Sequence, residues 1–488
     1  MASSLAGRIP GVAPARRWIS AHDQQLIRLA IILAILAGAF LLGRKPSVTP
    51  LLGMVGIVLV LVFYRWPVLG ALLTIIGGMA VPYNGPSGLN VAMIGMALLI
   101  GLWIMRMLVV QRRFVLVDWP TVRAGLALCL VGSLALLMGL LPWFRTPQAP
   151  LGAQLGGLAL VILSVGTFAW ASNSIKSLAW LKVLTFGFII YGSLHLVGYF
   201  LPELGSYTDR LFVNGATGSM YWTWLVVLAF GQAVFNRRLG IIPRLALLLV
   251  VLGTIYVAFV VQNDWKSGWI PALIGIAAIL MLSSWRVALL LVLAGLAPTA
   301  VLIQRSVTSD TYSYSTRIEA WEIMARIIRV NPVLGLGPAN YYWYTPLFSI
   351  RGYNVQFNSH SQYVDLVAQF GIVGALAFLW FVVEIMRVAW RLWRVPVADG
   401  FARAYVYSAI GGFAASLAAG FLGDWLVPFF YNVGLAGFRA SMLPWLFMGG
   451  LVAIAAMNLP RNPSQNLSQH LSLEEGKEAG SVVTLHGG

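Results

Sequence analysis

The chain has 488 residues, 59% of them hydrophobic and only 10% charged, and a mean hydropathy of +0.84. Soluble domains carry about 25% charged residues and cannot hide so much apolar surface, so a water-soluble globular protein is excluded. The formal net charge of +17 raises nucleic acid as a partner, but topology explains most of it.

Taken in chain order, residues 1–28 form a basic segment with no apolar h-region and no small-residue cleavage pattern, so a cytoplasmic N-terminal segment is expected rather than a removable signal peptide. From residue 29 to 303 the apolar runs predict a transmembrane bundle of eleven helices, with cores near 29–42, 51–63, 68–81, 91–110, 122–141, 155–171, 178–200, 217–235, 241–261, 269–283 and 286–303. Cys129 is the lone cysteine and lies in one of these runs, which leaves no disulfide framework and no cysteine-based metal site. Residues 304–365 form a long loop, and three more spans follow at 366–386, 404–422 and 442–457. After residue 458 the chain turns to Asn, Ser, Gln, Glu and Gly without periodicity, and 458–488 reads as a disordered cytoplasmic tail. The expected architecture is therefore an all-α, polytopic transmembrane helix bundle of about 12–14 spans with one large helical outer loop. Such a series is neither a soluble domain on one anchor nor a strand barrel.

Alternating the connections across the membrane, with the N-terminus inside, puts 21 of the 32 Lys and Arg residues on the inner side. Every inner segment then carries basic charge, as cytoplasmic loops do, and both termini are cytoplasmic. Five of the remaining 11, namely Arg305, Arg317, Arg326, Arg329 and Arg351, fall in the single loop 304–365. That loop is too long for a connection and too rich in Trp and Tyr for a linker, so it reads as a structured outer cap.

Within the loop, Thr316-x-x-Glu319 has the form of a capping box and Asn331-Pro332 is a stop, which predicts an amphipathic helix over 317–330. Glu319, Glu322, Arg326 and Arg329 share one face, while Trp321, Met324 and Ile328 share the other. Arg317 falls inside the apolar stripe, as an anion clamp facing inward or as a first-turn arginine snorkelling back to water. The Gly/Pro turn Pro332-Val-Leu-Gly335-Leu-Gly337-Pro338 and the aromatic run Tyr341-Tyr342-Trp343-Tyr344 follow; the aromatics are interface anchors or sugar-stacking faces. His360 closes the loop. Of the other histidines, His22, His470 and His486 lie in terminal segments and His195 lies inside a span. On the helix after His360, Gly371-x-x-x-Ala375 is expected to let a neighbouring helix approach closely.

His360-Ser361, nine residues, then Gly371-Ile-Val-Gly374 resembles the H-[NSQ]-x9-G-x-x-G pattern of the O-antigen ligase and O-antigen polymerase superfamily. The Arg317-x-x-x-Trp321 helix and the Asn331-Pro332-Val-Leu-Gly335-Leu-Gly337 turn also resemble that family's R-x-x-x-W and hP-x-x-G-h-G signature. The resemblance implies a fold related to the GT-C glycosyltransferases and transfer or polymerisation of glycan from an undecaprenyl-diphosphate-linked donor. The acceptor hydroxyl would lie on the outer face of a bacterial cytoplasmic membrane. By resemblance His360 is the general base and Arg317 a diphosphate-binding residue. Arg210, in Asp209-Arg210-Leu-Phe-Val-Asn214-Gly215, resembles an arginine of a preceding outer loop. Lys266, in Lys266-Ser267-Gly268-Trp269, stands where a Ser-Arg motif is usual; it keeps the charge and loses the planar fork. Asp424, in the last outer loop, resembles an acidic residue of the family there, and by that resemblance it is expected to bind substrate together with Arg210, Lys266 and Arg317.

The chemistry is coherent with this. An imidazole suits deprotonation of an attacking hydroxyl, and Arg and Lys suit the charge developing on a leaving diphosphate. No Asp-x-Asp, Glu-x-Asp or His-x-x-x-His occurs on the outer side, so a metal-independent enzyme with no cofactor is expected, with inversion at the sugar carbon as the expected outcome of direct displacement. Its partners would be the lipid-linked donor, a glycan, lipid or protein acceptor, membrane lipids and, for a polymerase, a chain-length regulator, with no nucleic acid. Polymerase, ligase and protein O-glycosyltransferase remain open alternatives. The rival outside the superfamily is a transporter of small anions or solutes, but no internal repeat is visible, and His195 and Glu384 do not form corresponding intramembrane pairs. Glu384 and Arg387 are expected to pair near the cytoplasmic end.

Overall fold

The computed structural model describes residues 32–33, 48–114, 116–117, 119–214, 218–262, 266–287, 289–290, 293, 311–395, 397 and 399–458. The described residues form helices and connecting turns, without a sheet. The helices are α1 (Val48–Arg65), α2 (Pro67–Ala80), α3 (Val91–Met105), α4 (Trp119–Gly139), α5 (Leu151–Ser174), α6 (Leu178–Phe200), α7 (Gly205–Leu211), α8 (Ser219–Phe235), α9 (Ile241–Tyr256), α10 (Lys266–Ser283), α11 (Thr311–Ile328), α12 (Tyr341–Tyr344), α13 (Gln362–Arg394), α14 (Gly400–Leu422) and α15 (Phe438–Asn458). Wider π turns extend α3 through Gln111 and α9 through Val261.

Among the described residues, eight helices are long and apolar enough to cross a membrane and four more are shorter apolar helices. Together these account for twelve of the fourteen expected spans. The other two, near 29–42 and 286–303, lie mostly outside the described residues, as does the expected tail. The chain belongs to the polytopic helical class expected from its composition.

The chain divides at residue 70. In the first unit α1 runs almost directly into Pro67, with the Trp66 N–H donating to the Val62 carbonyl at 2.7 Å. Proline fits this first helical position because its missing N–H is not needed there.

In the second unit α15 is the axis: 89% of its most apolar window is buried, against 28% for α9, whose apolar faces are left outward as a lipid-facing helix requires. Helix contact here depends on close packing, because lipid is as apolar as the side chains. Glycines provide it at two crossings. Gly449 of α15 lies so close to the Phe168 carbonyl of α5 that a Cβ would come within 2.7 Å of it, and Gly411 of α14 approaches the Gly275 carbonyl of α10 just as closely.

One end of this unit gathers the loops 81–90, 140–150, 201–214, 329–361 and 423–437. They are tied together by Asn214 to Val81, Asn90 to Leu435, Asn340 to Ala149, and Gln362 to Val427. The opposite end carries the basic segments. There Arg238 and Lys182 meet Asp399 at 2.7 and 3.5 Å, and Glu384 pairs with Arg387 at 2.5 Å as the sequence suggests. Helix α13 has 33 residues, about 50 Å at 1.5 Å per residue, longer than a bilayer core of about 30 Å.

Candidate active site

The site is assembled on the interlocking of two sequence motifs. Gly371, inside α13, has φ 67° and ψ −172°, a conformation that interrupts the helix and is essentially restricted to glycine. The break frees the backbone on both sides of it, and the 331–337 turn inserts there. Leu336 N–H donates to the Ala368 carbonyl (2.9 Å), Gly337 N–H to Gln369 (3.0 Å), Ile372 N–H to Pro332 (2.8 Å) and Val373 N–H to Val333 (3.2 Å). The Gln369 side chain completes the join by accepting from Ala339 N–H at 3.0 Å. A Cβ on Gly335 would lie 2.5 Å from the Gln369 carbonyl, and one on Gly371 would overlap the Val333 carbonyl. Gly371 therefore admits a loop rather than a neighbouring helix, which corrects the close-approach expectation. Periodicity shows a small residue but not that its backbone leaves the helix.

The amphipathic helix is α11, running Thr311–Ile328, not 317–330. Thr316 is within it, and the capping box is not made. Glu319 instead accepts from the Arg351 N–H at 3.1 Å and pairs with its guanidinium at 3.4 Å. The helix ends ahead of Asn331-Pro332, as the stop signal implies. Its buried face is Ala320, Ile323, Met324 and Ile327, packed on Leu336, Tyr341, Tyr344, Ile350 and Phe429. Trp321 remains 40% exposed. The stripe is thus rotated from the expected Trp321, Met324 and Ile328 face, because the 336–350 segment supplies the packing partner. Arg317 consequently sits at the edge of the buried face, half-buried.

His360 is held by its neighbours. It has φ 50°, a left-handed conformation in which few non-glycine residues occur. The serines on either side turn inward: Ser361 N–H donates to Ser359 Oγ at 3.1 Å, and Ser359 Oγ donates to Asp365 Oδ1 at 2.7 Å. Tyr341 Oη donates to the same carboxylate oxygen at 2.5 Å. The Trp321 indole N–H donates to the Ser359 carbonyl at 2.9 Å. With both flanking serines buried and the Ser359 hydroxyl held by Asp365, His360 is presented outward and keeps more than a third of its surface open. Arg317 lies one helical turn before Trp321, so its charge acts on the same imidazole. The surrounding protein and then the Arg317 guanidinium hold the His360 pKa below the ordinary 6.5.

Behind His360, Asp365 and Asp424 are both buried and within each other's electrostatic reach. Asp424 accepts from Phe429 N–H and the Asn432 amide, both at 2.6 Å, which folds the 424–432 loop; burial raises its pKa against these bonds. That loop carries Phe429 and Tyr431, stacked on Tyr341 and Tyr342 at 4.6 and 4.7 Å. Asp365, Ser359 and Gln369 were not singled out in the sequence, and Tyr341 was read there only as one of an aromatic run. The available signal was that Asp365 and Gln369 are polar residues four apart in an apolar helix.

Arg210 is at the end of α7, exposed, with its guanidinium 6.0 Å from the Tyr207 ring. Asn214 fastens its loop by donating to Gly78 and Val81 carbonyls at 3.0 and 2.7 Å. Lys266 begins α10, and its side chain lies outside the described residues. The structure therefore brings Arg317 beside His360 and Asp424 beside Asp365, while Arg210 stands on a separate loop of the same end.

Residues 241–379 match the family model described as O-antigen ligase. This segment of the chain is similar to the O-antigen ligase family. The matched segment contains α11, the 331–337 turn, His360 and the Gly371 break, while Arg210 and Asp424 fall outside it. No curated protein matches the chain. A membrane glycan-processing function of the ligase or polymerase type follows, with lipid-linked donor and acceptor in the general sense.

Proposed function

We propose that this protein transfers glycan from an undecaprenyl-diphosphate-linked donor to an acceptor hydroxyl on the outer face of the bacterial cytoplasmic membrane. The observation that carries the reading is the paired placement of His360 and Arg317: an outward imidazole held largely neutral at pH 7, beside a cation. The acceptor oxygen attacks the anomeric carbon as its proton passes to His360. The bond from that carbon to the diphosphate oxygen breaks, its electron pair leaves with undecaprenyl diphosphate, and the sugar carbon inverts. Arg317, Arg210 and Lys266 meet the charge on the leaving diphosphate. Asp424 contributes by holding the 424–432 loop against Tyr341 and Tyr342. Sidedness rests on the basic residues gathered at the opposite end.

The reading is of a metal-independent transfer, supported by the lack of paired-carboxylate motifs in the outer segments of the sequence. Reconstitution into proteoliposomes with an undecaprenyl-diphosphate glycan and candidate acceptors tests it. The expected product is a glycan of inverted anomeric configuration on an acceptor hydroxyl. Solute uptake without any glycosylated product would favour a transporter and overturn the proposal.

A further inference from the structure

Arg439, near the start of α15, is one of the 11 basic residues on the outer side of the charge alternation. It is only 6% exposed. Its Nη2 donates to the Asn84 side-chain carbonyl at 2.7 Å, while its buried Nε–H has no hydrogen-bond partner among the described residues. No carboxylate pairs with it among those residues. A buried cation without a counter-charge costs several kcal/mol, so this arrangement is suited to an anion that arrives from outside.

The Arg439 hydrogen bond leads to a surface loop. Asn84 is exposed, in the loop between α2 and α3. That loop is braced from below by Asn90, whose amide donates to the Leu435 carbonyl at 2.8 Å. Three residues before Asn84, the Val81 carbonyl receives Asn214 of the Arg210 loop. At the head of α8, Gly218 packs on Ala440 so tightly that a Cβ there would lie 2.7 Å from the alanine methyl. Through Asn84, the loop between α2 and α3 thus accepts the one hydrogen bond made, among the described residues, by the guanidinium fork. Its planar donors suit bidentate binding of phosphate oxygens, which a lysine ammonium cannot reproduce.

We infer that Arg439, positioned by Asn84, is a phosphate-binding residue that receives the diphosphate of the lipid-linked donor, an assignment that rests on the donor reading above. The chemistry recognised is a phosphate ester or diphosphate, and three probes separate its sources: undecaprenyl diphosphate, phosphatidylglycerol and inorganic diphosphate.

The full chain in nanodiscs, as wild type, Arg439→Lys and Asn84→Asp, is measured for binding of each probe and for thermal unfolding. Asn84→Asp supplies an internal carboxylate at a surface position. It is expected to raise the unfolding midpoint while weakening undecaprenyl diphosphate binding and competition by inorganic diphosphate at least 10-fold. Arg439→Lys is expected to weaken both similarly; if it fails to fold, Asn84→Asp decides. Unchanged undecaprenyl diphosphate binding in Asn84→Asp assigns Arg439 a structural role and overturns the inference. A loss confined to phosphatidylglycerol makes this a membrane-lipid site and overturns it equally. Wild type that binds undecaprenyl diphosphate through Arg439 yet transfers no glycan defeats the transfer reading and leaves the site standing. Normal transfer with Asn84→Asp binding unchanged does the reverse.

Discussion

Replacing Gly371 with alanine isolates the contact on which the site is built. The φ of 67° with ψ −172° costs a non-glycine residue about 1–3 kcal/mol. The new methyl also meets the Val333 carbonyl inside van der Waals contact, and forced overpacking of this kind adds about 1–3 kcal/mol. The sum, about 2–6 kcal/mol, falls on a junction held by four backbone hydrogen bonds between 332–337 and 368–373. The consequence is local opening of the turn rather than loss of the helix bundle. Hydrogen exchange in nanodiscs reads it directly: the amides of Leu336, Gly337, Ile372 and Val373 should exchange at least about 30-fold faster, since about 1.4 kcal/mol corresponds to a factor of ten. Gly352→Ala is the matched control, because Gly352 also has a positive φ of 81° but has open space where the methyl would go. If Gly371→Ala exchanges no faster at these amides than Gly352→Ala, the interlocking argument is refuted.

Ser359→Ala removes a donor to Asp365 and the acceptor for Ser361 N–H; transfer should fall about 10-fold in kcat with little change in KM, and a pure KM effect would contradict the positioning role. The pH dependence follows from His360. Burial and Arg317 both disfavour its imidazolium, so the neutral base persists below pH 6.5 and activity should be lost only as pH falls through the depressed pKa. Arg317→Gln removes the cation, so the acid limb of the profile should move upward toward 6.5 even though the maximal rate drops; a limb that stays in place or moves down contradicts the assignment. In excess EDTA the wild type should retain activity, and complete loss reversed by Mg²⁺ would sink the metal-independent reading.

How far the sequence could be read depended on the kind of constraint. Spans were legible because a bilayer demands a fixed length of apolar chain, and the outer loop because Arg, Trp and Tyr have no reason to accumulate in a mere connection. His360 and Arg317 were legible as residue types in a motif. Their surroundings were not. The face buried by α11 was set by the 336–350 segment, a tertiary partner that a helical wheel does not contain, so Arg317 moved from the middle of the apolar stripe to its edge. Gly371 looked like a helix-packing glycine because spacing carries no information about φ. The pairing of Asp365 with Tyr341 gave no signal, since a carboxylate and a phenol 24 residues apart meet only after the 331–337 turn folds back onto α13. Arg439 looked like one more outer charge until its burial and its one partner among the described residues, Asn84, were visible.

The central claim is that His360 removes the proton from the acceptor as the diphosphate leaves. Release of undecaprenyl diphosphate by the reconstituted protein, measured in single turnover for wild type, His360→Ala and His360→Gln at matched folding, tests it most directly. The account predicts a fall of at least about 100-fold in both variants, the lower end for loss of a general base. Equal release rates in wild type and both variants would contradict it.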